Sequence, residues 1–204
     1  MKLFWSSRSP FVRKVMVAVH EIGIVDRVET QRVVVSANNP NADVMAINPL
    51  NKIPTLIRDD GAAIYDSRVI CEYLDQTYGK KTLFPSEPAQ RWETLRRQAL
   101  GDGLMEVIVS LQGERARPEA LRSEPHLTTH ALKIKTTLDI LEREASAPRD
   151  MLDVGDIAIA CALSHLDFRF AADNWRQGRD KLAAWHAVIA ARPSMKATEF
   201  ADVY

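Results

Sequence analysis

The chain has 204 residues, 46% of them hydrophobic, and its 27 Lys and Arg are matched by 27 Asp and Glu, so the formal net charge is zero. This content suffices for a core without metal or disulfide staples, and a zero balance provides no long-range field to gather phosphate backbones or anionic membranes, which argues against nucleic acid as a main partner. Cys71 and Cys161 lack metal or redox spacing, no run approaches the ~20 apolar residues of a membrane span, and the N-terminus lacks a signal core. The expectation is a soluble, unprocessed protein of a reducing cytoplasm.

The first eighty residues alternate strand and helix signals. Lys2 to Ser6 reads as a short strand. From Pro10, apolar residues at Phe11, Val15, Ala18, Val19 and Ile22 recur at helical spacing, and Gly23 supplies a stop. Val28 to Val35 is β-branched enough for a second strand. A polar loop at Ser36 to Asn41 leads into Ala42 to Ala46, which has room for one or two helical turns before Asn48-Pro49. Thr55 to Arg58 and Ala62 to Tyr65 flank Asp59-Asp60-Gly61, a hairpin signal that makes the two strands antiparallel neighbours. Val69, Ile70, Tyr73 and Leu74 return to helical spacing after Asp66-Ser67, with Gly79 beyond the helix end. The order is βαβαββα over residues 1–79.

Residues 80–90 contain two prolines and few apolar side chains, which marks a linker, and residues 91–204 carry only helical patterns. Trp92, Leu95, Ala99, Leu104, Val107, Ile108 and Leu111 form one stripe. Leu127, Ala131, Ile134, Leu138, Leu141 and Ala145 form another. Ile157 to Leu163 is apolar on every side, as in a helix enclosed by its neighbours, and Asp153 and Asp156 stand at capping spacing before it. Leu182, Trp185, Val188 and Ile189 define a last helix, limited by Pro193.

Three fragments carry candidate chemistry: Ser9-Pro10-Phe11, Asn48 through Pro54, and Asp66-Ser67. Singly, each has an ordinary structural reading. Ser9, Asp66 and Ser67 suit helix N-caps, Lys52 a solvated loop and Pro54 a turn. Their joint order resembles the soluble, bacterial-like serine-type glutathione transferases over nearly the whole chain. Ser9-Pro10-Phe11 is similar to the active-site start of that family, Lys52-Ile53-Pro54 to its cis-proline turn, and Asp66-Ser67 to its acidic-serine pair, where glutamate is commoner than aspartate.

The resemblance implies an α/β plus all-α architecture, a thioredoxin-like glutathione-binding domain followed by an all-helical domain. It also implies an enzyme of detoxification type that adds the thiolate of glutathione, its co-substrate, to a small hydrophobic electrophile, with no metal, and that forms a homodimer. Ser9 would donate a hydrogen bond to the sulfur, Lys52 would meet the glycine carboxylate, and the backbone of Ile53 before a cis Pro54 would pair with the cysteinyl unit. Ser67 would bind the γ-glutamyl carboxylate and Asp66 the γ-glutamyl amine. Ser6 and Ser7 remain rivals to Ser9, while His20 belongs to packing or surface. Phe11, Met105 and Ile108, with Leu104 and Arg115, are candidates for the electrophile pocket, and Arg91, Arg96 and Arg97 for charged contacts across a dimer. The absence of cysteine before Cys71 disfavours disulfide exchange with glutathione. The alternative is a non-catalytic glutathione-binding or regulatory protein on the same fold.

The energetic demand on such a site is modest. Taking a thiol from a pKa of roughly 8.5 to two units lower requires about 2.7 kcal/mol. A charge-assisted hydrogen bond supplies roughly 1.5–3 kcal/mol and a helix N-terminus about 0.3–1 more.

Overall fold

The computed structural model describes residues 1–36, 39–79 and 82–202; Ala37 and Asn38 of the polar loop, and Lys80 and Lys81 at the start of the expected linker, lie outside the described residues. The first part comprises β1 (Lys2–Trp5), α1 (Pro10–Glu21), β2 (Glu29–Arg32), α2 (Ala42–Met45), β3 (Thr55–Ile57), β4 (Ala63–Ile64) and α3 (Ser67–Thr77). The βαβαββα order is as expected. The four strands form one sheet in the order β2-β1-β3-β4, with β1 and β2 parallel and the other two pairs antiparallel.

Strand β2 is shorter than its β-branched run and is exposed at every position. It ends where its partner ends: the Val33 N–H donates to the Trp5 carbonyl, the last of β1, and no ladder remains beyond. Val33 turns instead into a small core with Phe4 and Val44, backed by Val35, Ile53 and Ile57. The β3–β4 turn closes with Gly61 at φ +83°, a conformation that glycine adopts without steric cost.

The helical part comprises α4 (Pro88–Arg115), α5 (Glu124–Glu144), α6 (Val154–Phe170), α7 (Asp180–Ala190) and α8 (Pro193–Lys196). Two compact units result: one holds Met1–Arg91 together with the chain from Pro193 onward, the other Trp92–Arg192. The sequence boundaries of 1–79, 80–90 and 91–204 differ from this division at both ends. Helix α4 already begins at Pro88, inside the expected linker. Pro193 does not merely limit α7: it occupies the first position of α8, where proline costs no hydrogen bond, and α8 packs against α1.

In the second unit, α6 is buried along nearly its whole length, as its apolar pattern required. Asp153 and Asp156 form a reciprocal capping box at its start: Asp153 Oδ1 accepts from the Asp156 N–H at 2.8 Å, and Asp156 Oδ2 from the Asp153 N–H at 3.2 Å. Both carboxylates are buried, and their remaining lone pairs meet the Thr94 hydroxyl, Arg149 and Arg97. The N-cap of helix α7 is Arg179, which has no side-chain acceptor for a cap. Glu142 of α5 supplies one, accepting from the N–H groups of Lys181 and Leu182 at 3.2 and 2.7 Å. Trp92, on the apolar stripe by spacing, is 71% exposed.

Close approach of α4 and α6 depends on glycine. A Cβ at Gly101 would lie 2.7 Å from the Ala158 carbonyl carbon and the Ile159 nitrogen, whereas nothing lies within 4 Å of one at Gly103. Gly101→Ala is therefore expected to cost roughly 1–3 kcal/mol in urea unfolding. Gly103→Ala in the same helix should be neutral or stabilise by up to about 1 kcal/mol.

Candidate functional site

Strand register decides where the three candidate fragments lie. Phe4 stands opposite Thr55, so β1 ends beside the beginning of β3. Leu56 stands opposite Ile64, so β4 runs back toward that same end. The loop holding Ser6 to Ser9, the Lys52–Pro54 turn and the Asp66-Ser67 step thus emerge together at one end of the sheet. Helices α1 and α3 both start there. Their positive N-terminal ends make this a favourable place for anions.

Ser9 is the N-cap of α1, with φ −88° and ψ 121°, and its Oγ accepts from the Val12 N–H at 3.3 Å. Pro10 follows at the first helical position and donates nothing. Among the described residues no acceptor takes the Ser9 hydroxyl proton. Ser7 differs, because its Oγ donates to the Ala201 carbonyl at 2.8 Å and its single proton is thereby committed. Ser6 Oγ accepts from the Arg8 N–H at 3.4 Å. Geometry thus narrows the three serines to two with a proton to offer, of which Ser9 alone stands at a helix start.

The Ile53–Pro54 bond is cis, and so is Tyr65–Asp66. The Lys52–Pro54 turn rests on Asn48, the first residue of that fragment, which is buried. Asn48 Nδ2 donates to the Lys52 carbonyl at 3.2 Å and to Thr55 Oγ1 at 2.9 Å, while its Oδ1 accepts from the Leu50 N–H. Thr55 Oγ1 donates to the same Lys52 carbonyl at 2.9 Å. Asn51 adopts φ +53° and its side chain ties the turn to Asn41 and Ser36. The Lys52 side chain is exposed and Ile53 is half-buried. Asparagine at both 48 and 51 around a proline was the available signal, since asparagine tolerates left-handed backbone and bonds locally.

Asp66 is the N-cap of α3. Its Oδ1 accepts from the Arg68 N–H at 2.9 Å, so one carboxylate oxygen is spent on the helix. Ser67, 2% exposed, occupies the first helical position, where helix geometry leaves its N–H without an intrahelical acceptor. His20 lies in the last turn of α1, at the opposite end of that helix from Ser9.

Of the expected electrophile residues, Phe11 is half-buried two positions after Ser9, but Met105 and Ile108 are 0% exposed. These two have no surface to offer a ligand and belong to the core of the second unit, together with Leu104. Arg115 instead lines a cavity of about 390 Å³ within that unit, with Leu111, Ile134, Phe170 and Trp175. The three arginines expected at a dimer contact each make ion pairs inside the chain, Arg91 with Glu72, Arg96 with Glu93 and Glu144, and Arg97 with Asp156. Among the described residues no cluster of three or more His, Cys, Asp or Glu is placed to hold a metal ion, and no helix is long and apolar enough to cross a membrane.

Family models for the glutathione S-transferase N-terminal and C-terminal domains match residues 8–77 and 120–187. A glutathione transferase family member from Pseudomonas fluorescens Pf-5, with bound glutathione, is 41% identical and superposes with a TM-score of 0.92 over 97% of this chain and 98% of that one. The same kind of protein from that organism with bound S-(propanoic acid)-glutathione is 40% identical, with a TM-score of 0.87 over 98% of both chains. The uncharacterized GST-like protein YibF of Escherichia coli K12 is 33% identical over 98% of each chain.

Asn48→Ala tests the support of the turn. It strands the Lys52 carbonyl on one donor and is expected to cost about 1–3 kcal/mol in urea unfolding. Amide exchange at Ile53 and Thr55 should accelerate more than in the α6 core.

Proposed function

We propose, for a chain that belongs to the soluble glutathione S-transferase family, that it binds glutathione at the end of the sheet where α1 and α3 begin, holds the sulfur as a thiolate with the Ser9 hydroxyl, and adds it to a small electrophile. The observation that carries this reading is the hydrogen-bond state of Ser9: its oxygen accepts from the Val12 N–H, and its proton has no acceptor among the described residues. A hydroxyl already accepting from a backbone N–H is a better donor to an anion, because hydrogen-bond chains polarise one another.

The remaining assignments follow the chemistry of a peptide with two carboxylates, an amine and a thiol. The exposed Lys52 ammonium meets the glycine carboxylate and the Ile53 backbone pairs with the cysteinyl unit ahead of Pro54. Ser67 takes the γ-glutamyl carboxylate with its hydroxyl and N–H, as a helix start favours an anion. Asp66 faces the γ-glutamyl amine with the carboxylate oxygen that does not cap α3. Serine here donates one hydrogen bond and never forms a covalent intermediate, so it needs no histidine or acid beside it. Phe11 is carried as a wall of the electrophile site. A bound S-(propanoic acid)-glutathione in a relative makes small unsaturated carboxylic acids a sensible part of any electrophile panel, beside neutral hydrophobic ones. A cytoplasmic homodimer completes the reading.

Ser9→Ala removes a charge-assisted hydrogen bond worth roughly 1.5–3 kcal/mol, so the pKa of bound glutathione should rise by about one to two units and, from a starting value near 6.5, the rate at pH 7 should fall roughly three- to twenty-five-fold. The sign is fixed by which species reacts: with a higher pKa the thiolate fraction at pH 7 drops, and the pH–rate profile moves to higher pH. Titration of the thiolate ultraviolet absorbance in the complex measures this. Ser6→Ala should leave it unchanged; loss in Ser6→Ala alone would move the role to Ser6. No thiolate band in the wild type and no turnover across the panel would favour the non-catalytic binding protein.

A further inference from the structure

The last described residues return to the unit that holds Ser9. After α8, the Ala201 N–H donates to the Ser7 carbonyl at 3.3 Å and the Ala201 carbonyl accepts from Ser7 Oγ at 2.8 Å, a two-way bond between positions far apart in the chain. Next to it, Arg8 Nε pairs with Asp202 Oδ1 at 3.1 Å. The segment is anchored further along α1: Arg13 Nη2 donates to the Met195 carbonyl at 3.0 Å and its guanidinium stacks 4.6 Å from the centre of the Phe200 ring, while the Ser194 hydroxyl donates to Glu21. Ser7 and Arg8 are the two middle residues of a turn that closes through the Ser9 N–H and the Ser6 carbonyl at 3.2 Å. Both middle residues of the turn that delivers Ser9 are therefore gripped by the C-terminal segment.

We propose that Pro193–Asp202 is a positioning strap for the thiolate-binding turn, with Ser7 and Arg8 as positioning residues acting through Ala201 and Asp202 to set where the Ser9 hydroxyl stands. The inference rests on the reading of Ser9 as the partner of the sulfur. A four-residue turn before a helix has backbone freedom that α1 alone does not remove, and a hydrogen bond to a thiolate is sensitive to misplacement of its donor by a fraction of an ångström. The two-way Ser7–Ala201 bond removes that freedom by tying the turn to the segment that packs along α1. The Arg8–Asp202 pair is partly exposed, with side chains 32% and 52% accessible, so its share is smaller and is screened by salt.

The test uses full-length variants that leave α8 and the Arg13–Phe200 stack intact. Ala201→Pro removes the N–H that Ser7 accepts from, and Ser7→Ala removes the hydroxyl bond. Each is expected to raise the pKa of bound glutathione by about half to one unit and to lower the rate at pH 7 and saturating glutathione roughly 1.5- to threefold. The dissociation constant of glutathione at pH 7 should weaken by no more than the about two- to threefold that the pKa shift itself entails, because its other contacts lie on the turn before β3 and the start of α3. Ser7→Thr, which keeps the hydroxyl, should restore wild-type behaviour. Asp202→Ala, at an exposed pair whose loss folding tolerates, should move the thiol pKa the same way by a smaller amount, with Asp202→Glu restoring it. In a Ser9→Ala background Ala201→Pro should add nothing to the shift, since the group it positions is gone. Wild-type thiol pKa in Ala201→Pro, Ser7→Ala and Asp202→Ala together with a raised pKa in Ser9→Ala would overturn the strap and leave Ser9 standing. An unshifted pKa in Ser9→Ala itself would instead remove the premise.

Discussion

The register of β3 is the constraint on which the site depends. Because β3 runs antiparallel to both neighbours, the end of β1, the beginning of β3 and the end of β4 must come out at the same edge, through Phe4 opposite Thr55 and Leu56 opposite Ile64. A one-residue slip would turn Leu3 and Leu56, both wholly buried, toward the other face of the sheet. The hydrophobic pattern that fixes the fold therefore also fixes the juxtaposition of Ser9, Ile53, Pro54 and Ser67. Two helix starts at the same edge follow from the connections, and with them a local preference for negative charge.

Within that frame, much of the chain's polar chemistry is spent on holding backbone rather than on meeting a ligand. Asn48 organises the turn before β3. Asp75, 0% exposed, gathers the N–H groups of Thr82, Leu83 and Phe84 after α3. Asp153 and Asp156 do the same for α6, and Glu142 caps α7 from a neighbouring helix. Each is a carboxylate or amide whose acceptor atoms satisfy backbone donors that would otherwise be buried without partners. The candidate site residues stand apart from this pattern: Lys52 is exposed, and Ser9 and Asp66 each cap a helix with only part of their hydrogen-bonding capacity. Capacity left over after the structural task is what a ligand can use.

Local signals made the fold of the first unit readable. The Asp-Gly turn placed two antiparallel strands, Ser9-Pro10 and Asp66-Ser67 placed two helix starts, and period 3.6 placed α1, α3 and the long helices of the second unit. What escaped were features whose two halves are far apart in sequence. Nothing in the residues around Pro193 announces that the chain turns back to pair with Ser7, and nothing near Arg179 announces a cap from Glu142. The same blindness explains the electrophile residues. Met105 and Ile108 sit on a helical stripe, but a stripe marks a buried face without saying whether a cavity opens on it, and both prove wholly buried. The intrachain pairs of Arg91 with Glu72, Arg96 with Glu144 and Arg97 with Asp156 were equally unreadable, because the partners are far apart in sequence. The candidate site residues stand out in the sequence only jointly, through the order of three fragments that are individually commonplace.

In the proposed complex a helix-capping hydroxyl, rather than a base or a cysteine, holds the sulfur of glutathione. A crystal structure of the full-length protein with glutathione tests it most directly. The expected complex has the sulfur within hydrogen-bonding distance of Ser9 Oγ, with Ser9 still accepting from the Val12 N–H, the cysteinyl backbone paired with Ile53 and a carboxylate at Ser67. A sulfur closest to Ser6, or a glutathione bound away from the shared start of α1 and α3, would contradict it.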